Sequence, residues 1–121
     1  MTTKLKAAIV VLADTETHEG MGRVANALEA VKEFKQHGDD VKLIFDGAGV
    51  KWAVALSNPD HKLSGLYRQV SDKVTGICQY CAGAFGVTDA AIECKLKLLS
   101  EFDGHPSFRD LLAEGYQIIT F

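Results

Sequence analysis

The sequence predicts a three-layer α/β domain, with helices on both faces of a mostly parallel, Rossmann-like sheet. Three observations predict it. Short apolar runs (Ala7–Ala13, Val41–Phe45, Val74–Cys78 and Tyr116–Phe121) alternate with longer segments whose apolar residues recur at helical spacing. Each of the first three runs stops at a polar or glycine-containing loop, as strands buried on both faces do. The chain has 121 residues, 47% of them hydrophobic and 24% charged, enough for one core, and residues 1–121 are read as a single domain.

Taken in order, the first strand runs from about Lys6 to Ala13. Lys4 and Lys6 ahead of an apolar run also have the outline of a minimal signal peptide, but a run that ends at Asp14 and meets a helical pattern is a first buried strand. The polar loop Asp14–Gly20 leads into a helix in which Val24, Leu28, Val31 and Phe34 share a face, and Gly38 stops it as the C′ residue. Val41–Phe45 is the second strand and ends at Asp46-Gly47-Ala48-Gly49. Trp52, Ala53 and Leu56 mark a helix that breaks at Ser57-Asn58-Pro59, and Leu63, Leu66, Tyr67 and Val70 mark another. After the third strand, Val74–Cys78, a helix is expected over Thr88–Glu101, with Ile92, Leu96 and Leu99 on its apolar side and Cys94 in the core. Ser107 and Asp110 form a capping pair for a last short helix, Gly115 ends it, and Tyr116–Phe121 closes the chain as a strand. The expected order of these four strands is 2-1-3-4, so that the loops after the first and third flank the switch point where ligands bind.

Chemistry concentrates in Val74–Val87, where Cys78 and Cys81 enter a turn three residues apart. A cysteine ending a strand is held from behind while its sulfur faces solvent and backbone N–H groups, which lowers a thiol pKa. A helical turn would bring the two sulfurs within disulfide reach. C-x-x-C has three meanings: redox chemistry, half a zinc site, or two small core residues. The other strand-end loops supply the binding candidates. His18 is a base or thiolate partner, and Arg23, in the first turn of its helix, is a cation that faces an anionic group. Asp46 is foremost a capping acceptor, Gly47 and Gly49 form a turn without a nucleotide-loop pattern, and Trp52 is a core or pocket-wall residue.

Composition removes other classes. A net charge of −3 with no basic run argues against nucleic acid or an anionic membrane as partner. No segment approaches the ~18 apolar residues of a membrane span. Three cysteines, an odd number not spread as a framework, imply a reducing compartment, and a cytoplasmic location is expected. No cofactor is expected and no metal is assigned.

The order of elements resembles the DsrE/DsrF family of small sulfur-relay proteins, with the YchN-like fold, over nearly the whole chain. The residues that carry the resemblance are the first strand and its polar loop, Gly38-Asp39-Asp40-Val41, and Phe45-Asp46-Gly47-Ala48-Gly49-Val50. Cys78 followed nine residues later by Val87, and Glu114-Gly115-Tyr116, complete it. The resemblance implies a strand-end cysteine that carries sulfur as a persulfide, and the spacing to Gly86-Val87 puts Cys78, not Cys81, at that position. It also implies a homo-oligomer, trimer or hexamer, and a sulfur donor or acceptor protein as partner. The second thiol, Cys81, departs from the family pattern.

Two readings stand. In the first, the chain is a sulfur-relay or thiol-redox protein in which Cys78 accepts sulfur and Cys81 resolves it, whether as a sulfurtransferase or as a carrier. A thioredoxin-type enzyme fits less well, because neither Pro59 nor Pro106 is placed as the cis residue beside the C-x-x-C. In the second, the strand-end loops form a non-catalytic module that holds a small ligand, or a metal through Cys78, Cys81 and one of His18, His61 or His105. Zinc would need further ligands that no local motif supplies.

Overall fold

The computed structural model describes residues 3–121. Strand β1 is Lys6–Val11 and helix α1 is His18–Gln36. After β2 (Asp40–Phe45), a 3₁₀ turn at Gly47–Gly49 runs into α2 (Val50–Ser57), followed by α3 (Ser64–Val70). Strand β3 (Val74–Cys78) leads directly into α4 (Gln79–Ala84) and α5 (Thr88–Glu93). The chain ends with β4 (Leu98–Leu99), α6 (Phe108–Ala113) and β5 (Gln117–Thr120). No helix among the described residues is long and apolar enough to cross a membrane.

The sheet is parallel throughout, in the order β4-β3-β2-β1-β5. The parallel α/β class is the one expected; the order 2-1-3-4 is not. β2 lies between β1 and β3, and the closing strand pairs with the outer side of β1. Each of the first crossovers steps to the adjacent place in one direction, as sequential strands joined by short connections tend to do. The chain reverses only once, between β4 and β5. The switch point is therefore at β1/β5, and the loop after β3 does not flank it.

Period-2 alternation divides the two cores. Ala7, Ile9 and Val11 of β1 join Val41, Leu43 and Phe45 of β2 beneath α1 to α5, with Val24, Leu28, Val31, Trp52 and Leu56 packed on them. Ala8, Val10 and Ile44 face the other way, against Leu99, Leu111 and Tyr116. The third layer is thus a single six-residue helix, α6. Each fully buried Leu, Val or Ile stabilises the fold by about 1.5–3 kcal/mol, so the larger core dominates.

Local signals acted as the sequence implies at several ends. Gly38, at φ 76°, closes α1 with Asp39 N–H donating to Phe34 O and Gly38 N–H to Lys35 O. Ser107 Oγ accepts from Asp110 N–H at 3.0 Å and caps α6. The expected helix over Thr88–Glu101 is instead cut at Glu93. Lys95 turns to φ 62°, its N–H bonding Ile92 O, and the chain straightens into β4. Ile92 and Cys94 are consequently exposed rather than core, while Leu99 is buried as a strand residue. β4 docks because Gly76 lacks a side chain. A Cβ there would lie 2.5 Å from Lys97 O, and Ile77 N–H donates to that same oxygen at 2.9 Å.

Gly49 is a second close approach, since a Cβ on it would overlap the Val11 carbonyl oxygen. Gly22, inside α1, has nothing within 4 Å of the equivalent position. Gly49→Ala should therefore destabilise the protein by about 3 kcal/mol, the upper end for single substitutions, while Gly22→Ala stabilises it by about 0.5–1 kcal/mol. Denaturant unfolding checks both; equal stabilities would contradict the packing described here.

Candidate thiol site

Three neighbouring strands deliver the site. β2 ends at Phe45 and β3 at Cys78, and β4 pairs Leu99 with Cys78, so the residues that follow all leave the sheet at one edge. Cys78 is extended (φ −61°, ψ 122°) and acts as N-cap of α4, its Sγ accepting from Cys81 N–H at 3.4 Å. The turn of helix sets Cys81 beside Asp46, with Sγ donating to Oδ1 at 3.5 Å. Asp46 is held twice: its N–H donates to Val11 O at 2.9 Å, and its Oδ1 accepts from Gly47 N–H at 2.8 Å. Asp46 was expected to cap the helix after β2; it caps the 3₁₀ turn Gly47–Gly49 instead, α2 having Gly49 as an N-cap without a side-chain bond, and the same oxygen faces a thiol.

The fourth member is His105, whose Nδ1 lies 3.3 Å from Cys78 Sγ. A tight turn delivers it. Phe102 and His105 exchange backbone hydrogen bonds of 2.9 and 2.8 Å around Asp103 and Gly104, both at positive φ (51° and 85°), as a type I′ turn requires. Gly104 O then accepts from Tyr80 N–H at 2.8 Å, and the Tyr80 ring lies tilted on the imidazole, centroids 4.9 Å apart. Among the described residues, Asp46, Cys78, Cys81 and His105 each offer one ligand atom, all within 4.8 Å of one another.

Burial orders the thiols. Cys78 has no exposure, Cys81 is half-buried and Cys94 is exposed. The expectation that the Cys78 sulfur faces solvent with a lowered pKa is corrected here. Burial pushes the thiol up to about 12; the Cys81 N–H opposes that, and the Cys81 thiol and Asp46 carboxylate add to it. The six-residue α4 is too short to offset the loss of hydration. A cleft of about 550 Å³ opens beside the cluster, lined by Asp46, His105, Phe102, Phe108 and Arg109 among others.

The other expected binding residues lie outside this cluster. His18 is exposed at the start of α1, and the anion that Arg23 meets is Glu19, an exposed i, i+4 pair at 3.0 Å. Arg23 lines a separate cleft with Asp14, Thr17 and Phe121, at the β1/β5 switch point. Trp52 is core, its ring edge-on to His61 at 5.8 Å. Gly47 and Gly49 act indirectly, by shaping the turn that aims Asp46. Sequence reasoning named His105 only as one of three interchangeable histidines. The Asp103-Gly104 dipeptide was the signal that would have singled it out. Pro106, expected not to be a cis residue beside the cysteines, follows His105 into the cleft on a trans peptide.

A sequence profile of the DsrE/DsrF-like family matches residues 8–121. An uncharacterized protein of Methanocaldococcus jannaschii is 39% identical over 87 residues, which cover 72% of this chain and 70% of that one. A conserved protein of unknown function from Bacteroides thetaiotaomicron shares the fold at TM-score 0.62, with 16% identity and 94% of each chain covered. The match over nearly the whole length, on a parallel α/β fold with a cysteine pair at a strand end, establishes that this chain belongs to the DsrE/DsrF-like family.

Proposed function

We propose that this protein is a sulfur-relay protein in which Cys78 accepts sulfur as a persulfide and Cys81 resolves it. One observation carries the assignment: an imidazole nitrogen stands 3.3 Å from Cys78 Sγ, within reach of its proton. The hydrogen-bond partner of Cys81 Sγ is instead the Asp46 carboxylate, which would repel a thiolate. His105 takes the Cys78 proton, and the thiolate attacks the outer sulfur of a donor persulfide, R–S–SH. The donor S–S bond breaks, and the donor thiolate leaves with the proton. Burial then shields the held sulfur from stray thiols, and entry runs past the His105 turn from the cleft. Release takes one of two routes. An acceptor thiolate removes the outer sulfur with no net oxidation. Alternatively Cys81 gives its proton to Asp46 Oδ1 and attacks Cys78 Sγ. The Cys78 S–S bond breaks, hydrosulfide leaves and takes up that proton as hydrogen sulfide, and the resulting disulfide is reset by an external dithiol.

The proposal includes assembly as a compact homo-oligomer, trimer or hexamer, with a protein as sulfur donor or acceptor. The apolar side chains of Tyr80, Phe85 and Phe102, exposed on the thiol and His105 loops, support a protein-binding rim.

Intact-mass measurement after treatment with a sulfane-sulfur donor tests the thiol roles. Cys78→Ser should fail to gain a sulfur atom, Cys81→Ser should gain one and keep it severalfold longer, and Cys94→Ser should behave as the unmodified protein. Loading that survives Cys78→Ser but not Cys81→Ser would reverse the roles. Light scattering tests the assembly: a mass of three or six copies is expected, and a monomer would refute it.

A further inference from the structure

We infer that Asp46, Cys78, Cys81 and His105 form a tetrahedral site for zinc, or a similarly thiophilic divalent cation. This inference does not rest on the sulfur chemistry; it concerns a second use of the same side chains. The donor set is two thiolate sulfurs, an imidazole nitrogen and a carboxylate oxygen, all ligands that zinc takes in four-coordinate sites. With bonds of about 2.3 Å to sulfur and 2.0–2.2 Å to nitrogen or oxygen, neighbouring ligand atoms in a tetrahedron stand roughly 3.3–3.8 Å apart. Cys78 Sγ to His105 Nδ1 is 3.3 Å and Cys81 Sγ to Asp46 Oδ1 is 3.5 Å, and all four atoms lie within 4.8 Å of one another. Only small adjustments separate this arrangement from a coordination sphere.

The surroundings fix the ligands as metal sites require. Gly47 N–H holds the Asp46 carboxylate, Cys81 N–H points at Cys78 Sγ, and Tyr80 packs on the His105 ring, whose backbone is pinned by the Phe102 turn. The ligands come from the ends of β2 and β3, from α4 and from the turn after β4, so the sheet sets their positions without help from an ion. Asp46 is the informative member. A carboxylate against a thiol hinders sulfur chemistry, whereas around a divalent cation it adds a ligand and offsets charge. Binding releases the two thiol protons, forms four metal–ligand bonds and involves no oxidation. It also occupies both thiols, so zinc and persulfide exclude each other.

The test uses reduced, chelator-stripped full-length protein titrated with cobalt(II) and then zinc(II). Expected are one cobalt per chain, the intense visible bands of tetrahedral cobalt with thiolate-to-cobalt charge transfer, and displacement by one equivalent of zinc. Cys78→Ser and Cys81→Ser should each abolish the charge-transfer signal or weaken binding at least 100-fold. His105→Ala and Asp46→Asn should weaken it at least 10-fold, and Cys94→Ser should leave it unchanged. Asp46→Asn retains an acceptor for Gly47 N–H, so it isolates the lost charge from any loss of the turn. No stoichiometric binding, an octahedral cobalt spectrum, or affinity that survives the Cys78→Ser/Cys81→Ser double variant would overturn the site. Persulfide loading measured on the metal-free protein keeps the two outcomes separate.

Discussion

The site depends on how closely β4 can approach β3, and that approach depends on the missing side chain of Gly76. With Lys97 O only 2.5 Å from where a Cβ would stand, any other residue would push the edge strand away. β4 is two residues long, and its pairing to Ile77 and Cys78 is what aligns the following turn with the end of β3. Without that pairing the His105 turn is held only by the Tyr80 N–H to Gly104 O bond and the Tyr80 ring, and Cys78 loses part of its cover. A glycine on one strand thus determines the surroundings of a sulfur two residues on.

Burial and reactivity oppose each other at Cys78. Removing a thiolate from water costs more than one N–H donor and a short helix return, and the sulfur rests as a thiol. In the proposed relay the imidazole changes the balance only when a reaction partner arrives, because the proton then leaves Cys78 without creating an isolated buried charge. A divalent cation would supply the same compensation continuously. The proposed sulfur-holding and metal-holding states exclude each other, and the half-buried Cys81 belongs to both.

Much of this was legible in the chain. The apolar runs and helix stops located β1, β2, β3 and β5, and the Gly38 and Ser107 signals marked helix ends where the structure has them. The strand order was not legible, because β1 and β2 are comparably apolar and either would serve as a central strand. Nor was β4: Leu96 and Leu99 fit helical spacing, and the break at Lys95 depends on a lysine taking positive φ, for which its residue type gives no warning. Cys78, Cys81 and Asp46, which the fold brings together, were named because strand ends announce themselves by composition. His18 was proposed from its place in a strand-end loop and Arg23 from its place at a helix start, neither of which says which way a side chain points, whereas Trp52 is the core residue its type suggested. His105 was marked in the sequence by the Asp103-Gly104 turn before it, but placing that turn beside the thiols also needed the missed strand β4.

The central claim is that His105 acts as the proton acceptor for Cys78, and the rate of sulfur loading in His105→Gln tests it most directly. In metal-free protein with a low-molecular-weight persulfide donor, stopped-flow loading should slow by about 10²–10⁴-fold, the usual contribution of a positioned acid–base group. The loaded product should still carry its sulfur on Cys78 by peptide mass mapping. Loading at the unmodified rate would contradict the account, since the 3.3 Å contact would then be packing alone.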